Sequence, residues 1–300
     1  RGRAGGIRAG WQPGTVGGLG GAPSVPRVLG ARLLGRKHPA LIIHEGNAVL
    51  GKANAGLSRF ADVSGTSLPA VARRPIGSRT ELTGMPVRPA IAALAGKPWV
   101  PPQNHINLLV WGGSLGARVF SQVVPDALAR LPDALRTQVH VTQQARKEDL
   151  ETVRAAYASM GITARVEPFL NDVPDLLANA HLVIGRAGGS SIAEITTAGR
   201  PSILVPLPLA ASDEQTENAR AITQAGAGWM VRQPDFTPVA LASRLTDLFT
   251  TPQDLAQAAM AAAALARPDA AQRLANTVEE CLQLSPSHAP SPSNGMETRP

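Results

Sequence analysis

The chain has 300 residues, 44% hydrophobic and 17% charged, with a formal net charge of +7, which is enough apolar material for two packed domains. No stretch approaches the roughly 18 to 20 continuous apolar residues of a membrane-spanning helix, and the single Cys281 excludes an internal disulfide and suits a reducing, cytosolic setting. Aromatic residues make up only 3%, too few to stack the bases of a single strand, so nucleic acid is not expected as a partner.

Charge is unevenly spread. Residues 1–100 carry 14 Lys and Arg against three acidic residues, whereas residues 101–300 carry 15 against 19. A basic half beside an acidic half suggests that the first half meets something anionic, such as phosphate or an acidic lipid surface. The chain opens on Arg1, not Met, and the expectation is an N-terminally truncated fragment.

In chain order, residues 1–16 read as a loop or frayed end, followed by Gly17-Gly-Leu-Gly-Gly21. A helical run is expected from Arg27 to Gly35, with Pro26 near its start. Residues 40–43 form a short buried strand that ends in His44-Glu-Gly-Asn47, polar residues placed where open α/β folds bind ligands. A helix over 49–60 and short strands and loops over 62–84 lead to Gly84-Met-Pro-Val-Arg-Pro89. The proline-rich connector 95–105 marks the expected domain boundary and hinge, with residues 1–95 before it and 96–284 after it. Beyond it, strands at 106–111, 138–142, 164–167, 181–184, 202–205 and 229–231 alternate with helices at 117–131, 146–160 and 173–178, one opening on 188–191, and others at 213–225, 238–250, 252–266 and 269–284. Such alternation means βαβ units and a parallel, doubly wound sheet. The tail 285–300 lacks apolar content and reads as disordered.

Three loops follow strands of that sheet. Gly185-Arg-Ala-Gly-Gly-Ser-Ser-Ile-Ala-Glu194 turns from strand to helix through small residues, so its backbone N–H groups, with Ser190 and Ser191, can seat an anion or sugar hydroxyls. The bland alternative is a βα turn with Glu194 as a capping acid. Gly112-Gly-Ser-Leu-Gly116 offers further N–H groups and the Ser114 hydroxyl, but has neither the G-x-G-x-x-G spacing nor the lysine of a P-loop. Ser212 or Asp213 can cap the helix that carries Gln215 and Asn218, amides that either meet a polar ligand or face solvent. Arg88 follows a proline-bounded turn and suits a diphosphate. No Cys/His cluster or paired aspartates suggests a metal, and no cofactor is expected. Together the loops fit a nucleotide sugar.

GGSLGARVF, EPFLND, GRAGGSSIAE, AGRPSILVPLP and SDEQTENA, with GGLGGAPSVP, IIHEGNAVLGKAN and GMPVRP upstream, resemble the MurG family across about residues 17 to 284. The resemblance implies a GT-B fold: two Rossmann-like domains with parallel sheets, the first incomplete here. It also implies an inverting, metal-independent transfer of GlcNAc from UDP-GlcNAc to lipid I, giving lipid II, by a peripheral enzyme on the cytoplasmic face of the bacterial inner membrane. By motif, Ser114 would contact the donor and Arg88 the diphosphate. Asn47 would line the cleft from the first domain. Leu170 would meet uracil, Glu194 the ribose and Gln215 the GlcNAc. This sequence departs from the family at Ala22, Gly46, Met85 and Glu214, and lacks the family's opening glycine-rich loop with its His. The open alternatives are a UDP-GlcNAc-binding fragment without turnover, a UDP-GlcNAc epimerase, or another glycolipid transferase.

Overall fold

The computed structural model describes residues 14–34, 38–75, 77–113, 116–208 and 213–284. The first unit is built from β1 (Thr15–Gly18), α1 (Ser24–Arg32), β2 (Ala40–Glu45), α2 (Lys52–Leu57), β3 (Val63–Thr66) and β4 (Thr80–Leu82). Its four strands lie in sequence order and all pair parallel. β2 reads Ala-Leu-Ile-Ile-His-Glu and is buried along its whole length, as a strand covered on both faces must be. The short helix α3 (Pro89–Ala92) follows Arg88, its N-cap.

The second unit runs through β5 (Ile106–Trp111), α4 (Arg118–Ala129), α5 (Asp133–Arg136), β6 (Val139–Gln144), α6 (Leu150–Ser159), β7 (Thr163–Glu167), α7 (Val173–Asn179) and β8 (Leu182–Gly185). It continues through α8 (Gly189–Thr197), β9 (Ser202–Leu204), α9 (Glu214–Gln224), β10 (Gly228–Met230), α10 (Pro238–Thr250) and α11 (Pro252–Ala264), and the last described helix is α12 (Ala270–Leu284). Its strand order is β10-β9-β8-β5-β6-β7, all parallel. The winding direction reverses between β5 and β8, and such a switch point opens a crevice at the carboxyl ends of the two strands. Trp111 and Gly185 are register partners there.

Four features differ from the expectation. β1 lies in a stretch read as loop, because its Thr-Val-Gly-Gly has little strand character; the pairing of Thr15 to Gly18 with Ala40 to Ile43 supplies what the residues do not. The helix expected over 49–60 shrinks to α2, since Val49 forms a parallel bridge to Ala72 and Leu50 N–H bonds the Ala72 carbonyl, which keeps that stretch extended. The connector 95–105 is fastened to the second unit: Ile91 and Leu94 just before it lie in that unit's core, and within it the Trp99 indole donates to the His181 carbonyl at 3.1 Å. The chain passes from one packing to the other over Gly84–Arg88. Finally, α12 leaves the second unit altogether. Its Cys281 packs with Ala40, Ile42 and Val63 of the first sheet, and Thr277 Oγ1 donates to Glu81 Oε2 at 2.8 Å. The expected disorder of 285–300 concerns residues outside those described, as do residues 1–13, Gly35 and the Ser212 cap.

Candidate functional site

An open cleft of about 980 Å³ lies at the switch point of the second sheet. Trp111, Gly112 and Gly113 enter it from the end of β5, and Arg186 and Gly188 to Ser191 from the end of β8. Of the eight residues singled out in the sequence, Arg88, Leu170, Ser190, Ser191, Glu194 and Gln215 line this cleft together. Asn47 lines an adjoining chamber of about 840 Å³ against the first unit, which meets the cleft at Gly189 and Ser190. Ser114 lies outside the described residues.

The turn into α8 depends on its glycines. Gly188 is the N-cap, with φ −69° and ψ 143° and no side-chain cap, so the first N–H groups of the helix are left to whatever occupies the cleft. Gly189 sits against the first unit: a Cβ there would come within 2.3 Å of the Gly46 carbonyl oxygen. The halves can approach this closely only because position 189 lacks a side chain.

Glu194, one turn further along, accepts both Arg88 Nε at 3.1 Å and Arg88 Nη2 at 3.1 Å. The two residues assigned by resemblance to diphosphate and ribose therefore face one another as a bidentate pair. Gln215 Oε1 accepts the Leu207 N–H at 3.0 Å, which ties the β9 exit to the start of α9. Asp213 is the N-cap of α9 but makes no side-chain cap; it stands in the left-handed region at φ 55°. Asn218 does not face solvent or ligand. It is 0% exposed, its Oδ1 accepts the Ala48 N–H at 2.7 Å, and its Nδ2 donates to Asn47 Oδ1 and the Ala187 carbonyl, each at 2.9 Å. One buried amide thus joins the His44-Glu-Gly-Asn47 loop to the glycine-rich turn.

That loop is organised by Glu45, whose carboxylate is buried. Oε1 accepts the Asn47 N–H and Nδ2, and Oε2 accepts the Gly51 N–H and Asn54 Nδ2, all between 2.9 and 3.1 Å. His44 Nε2 lies 2.9 Å from the Gly84 carbonyl and must carry the proton. Burial holds the imidazole below its ordinary pKa, so it stays neutral.

Three cleft arginines were not singled out in the sequence. Arg118 and Arg146 are exposed on its wall. Arg186 bonds the Val205 and Pro206 carbonyls and Gln233 Oε1, and its guanidinium stands 5.3 Å above the Phe120 ring. The signal for each was adjacency to a recognised motif: Arg118 ends GGSLGAR, Arg146 follows Thr142-Gln-Gln-Ala, and Arg186 lies inside the glycine-rich turn. With Arg88 they bring four guanidinium groups to the cleft, where Glu194 is the one carboxylate among the described lining residues and Asp149 stands 3.9 Å from Arg118. Such a field suits a diphosphate.

Residues 107–274 match the model of the glycosyltransferase family 28 C-terminal domain. A UDP-N-acetylglucosamine–N-acetylmuramyl-(pentapeptide) pyrophosphoryl-undecaprenol N-acetylglucosamine transferase of Gluconobacter oxydans is 57% identical over 270 residues, covering 90% of this chain and 74% of that protein. A protein of the same name from Granulibacter bethesdensis is 54% identical over 285 residues, covering 94% and 74%. Among solved structures, that of Acinetobacter baumannii MurG superposes with a TM-score of 0.73 at 34% identity, over 88% of this chain and 74% of that one.

Proposed function

This chain belongs to the MurG family of UDP-N-acetylglucosamine–N-acetylmuramyl-(pentapeptide) pyrophosphoryl-undecaprenol N-acetylglucosamine transferases, and from that premise we propose how its GT-B cleft performs the transfer. The protein is a hexosyltransferase that moves GlcNAc from UDP-GlcNAc to the MurNAc of the undecaprenyl-pyrophosphoryl acceptor, turning lipid I into lipid II.

The donor lies in the larger cleft. Uracil meets Leu170, the ribose diol takes the Glu194 carboxylate, and the diphosphate sits against the first turn of α8. Arg88, released from Glu194 as the ribose binds, turns to the phosphates with Arg118 and Arg146. Gln215 meets the GlcNAc, and Ser114 contacts the donor. The acceptor sugar enters the adjoining chamber between the Leu19–Gly21 loop and Asn47, so that its hydroxyl attacks the anomeric carbon from the face opposite UDP and inverts the centre. Charge that develops on the departing diphosphate is met by the fixed N–H dipoles of α8 and by the guanidinium groups drawn to it as the donor binds. The observation that carries this reading is the run from the glycine-rich turn to the acceptor chamber, continuous through Gly189 and Ser190.

The same reading places the protein peripherally on the cytoplasmic face of the inner membrane. Leu19 and Leu33 are 77% and 83% exposed, Leu29 and Leu34 are exposed beside them, and Arg27 and Arg32 stand on the same short stretch. Exposed leucines among arginines suit an anionic lipid surface. No helix among the described residues is long and apolar enough to cross a membrane.

The test is transfer of labelled GlcNAc from UDP-GlcNAc to a lipid I analogue in vesicles with and without anionic lipid. Label in the disaccharide lipid, with faster turnover on anionic vesicles, is expected. Binding of UDP without any transfer would favour a donor-binding chain that does not turn over.

A further inference from the structure

At the opposite edge of the second sheet, where β5 and β8 begin, a separate hollow of about 310 Å³ opens between the connector and the end of α7. It is about 20 Å from the donor cleft, the length of the six-residue strand β5. Arg200, His105, His181, Asn107 and Asn179 contribute to its wall.

Arg200 is the unusual member. Only 3% of it is exposed, and its Nε is buried with no hydrogen-bond partner. None of its ion pairs or side-chain hydrogen bonds appears among the described residues, in contrast to Arg186, which is bonded to two carbonyls and an amide. Burying a guanidinium without an anion is costly unless something pairs with it. The backbone there is pinned. It lies between Gly199 at φ 65° and Pro201, its N–H bonds the Ile195 carbonyl, and the Pro201 carbonyl accepts the Val183 N–H. The backbone that carries the guanidinium is fixed, the residue is 3% exposed, and the lining residues include no carboxylate.

The other walls are held by hydrogen bonds that leave one donor free. The Asn107 N–H donates to His181 Nδ1 at 2.8 Å, which leaves Nε2–H as that ring's donor. Asn107 Nδ2 and the Trp99 indole fasten the neighbouring backbone at the Asn179 and His181 carbonyls. His105 stacks on His140 at 4.8 Å between centroids and stands edge-on to His181 at 6.3 Å. Stacked rings do not converge their nitrogens on a point, and no group of three metal-ligating side chains forms among the described residues. A cation is therefore the wrong occupant.

We propose that this hollow is a second anion site, in which Arg200 and the Nε2–H of His181 hold a small oxyanion of the phosphate class, with His105 at its mouth. It is independent of the donor cleft and of the transfer reaction. Burial, and then the neighbouring His105 and Arg200, hold His181 below its ordinary pKa, so its ring stays neutral and offers Nε2–H as a donor.

The experiment is calorimetric titration of inorganic phosphate into the wild-type protein and into Arg200→Gln and Arg186→Gln variants. With the donor cleft filled by saturating UDP, one saturable phosphate site is expected in wild type, weakened about tenfold or more by Arg200→Gln and kept by Arg186→Gln, whose substitution lies in the donor cleft. In parallel, nitrogen-15 NMR of arginine Nε–H groups in the unmodified protein should show the Arg200 signal moving along the same binding curve, a readout that survives if Arg200→Gln fails to fold. Phosphate binding that moves only cleft arginines, or is lost in Arg186→Gln but not Arg200→Gln, would overturn the proposal, as would no saturable binding at all. Weaker binding of sulfate or a phosphate monoester than of phosphate would identify the free ion as the occupant; tighter binding of the monoester would identify a phosphorylated molecule.

Discussion

Glu194 commits both carboxylate oxygens to Arg88, so a ribose diol that binds there has to take them over. Glu194→Ala should weaken UDP binding about tenfold, or roughly 1.4 kcal/mol, by calorimetry. Thermal unfolding should barely change, since a partly exposed ion pair adds little stability. Unchanged UDP affinity would remove Glu194 from the ribose role. A second test concerns His181, held down to about 4 by burial, His105 and Arg200. Its unfolded value is near 6.5, so the unfolded chain binds the extra proton in between. Its contribution to stability is fully present above pH 6.5 and is lost as pH falls toward 4, with a slope of up to about 1.4 kcal/mol per pH unit. Urea unfolding at pH 7 and pH 4.5 should show this loss, and His181→Asn should reduce it; buried His44 adds in the same direction. At this scale the sequence told unevenly. Leu170, Ser190, Ser191 and Glu194 were legible because each lies at a fixed offset in a motif. Their pairings were not: 106 residues separate Arg88 from Glu194, and 171 separate Asn47 from Asn218, and no local pattern encodes a contact that distant.

Among the elements, α8 and the loop after β2 act as one contact. Gly189→Ala would push a methyl group into the Gly46 carbonyl and separate the halves. The expected result is a larger drop in kcat for GlcNAc transfer than in UDP affinity, because the donor cleft survives while the acceptor chamber is displaced. An equal fall in both would mean that the turn itself had collapsed. Asn218→Ala removes the amide that satisfies Ala48 N–H, Asn47 and Ala187 at once. It should cost about 2 to 3 kcal/mol in urea unfolding, since buried partners are left unmet. Alternation of apolar strands with long helices made the second unit readable nearly element by element. The first was less so. Strand β1 is glycine-rich, and the bridge at Val49 shortens a stretch of good helix formers; in both places pairing across the sheet overrides local preference.

Over the whole molecule, the last helix was the least legible part. Its amphipathic pattern predicts a helix at 269–284 and locates it well, but an apolar face does not say which sheet it covers. The consequence can be measured at the only thiol. Cys281 is buried on the face of α12 that packs on the first sheet, and burial raises its pKa, so a disulfide reagent should label it only when the helix lifts off. Thr277→Val, which deletes the bond to Glu81, should raise that labelling rate about fivefold, the equivalent of about 1 kcal/mol. Labelling as fast as in a free peptide would mean that α12 does not rest on the first sheet.

The return of α12 also decides how the two halves can move. The chain crosses between them twice, at Gly84–Arg88 and again near Arg267–Ala270, and the crossings touch: a Cβ on Gly84 would lie 2.6 Å from that of Arg267 and 3.0 Å from that of Ala270. Two tethers side by side act as a single hinge line. They permit the cleft to open and shut about that line but resist one half swivelling over the other. The register between donor and acceptor chambers is therefore kept through each opening, and substrates of very different size can enter without the reacting groups losing their alignment.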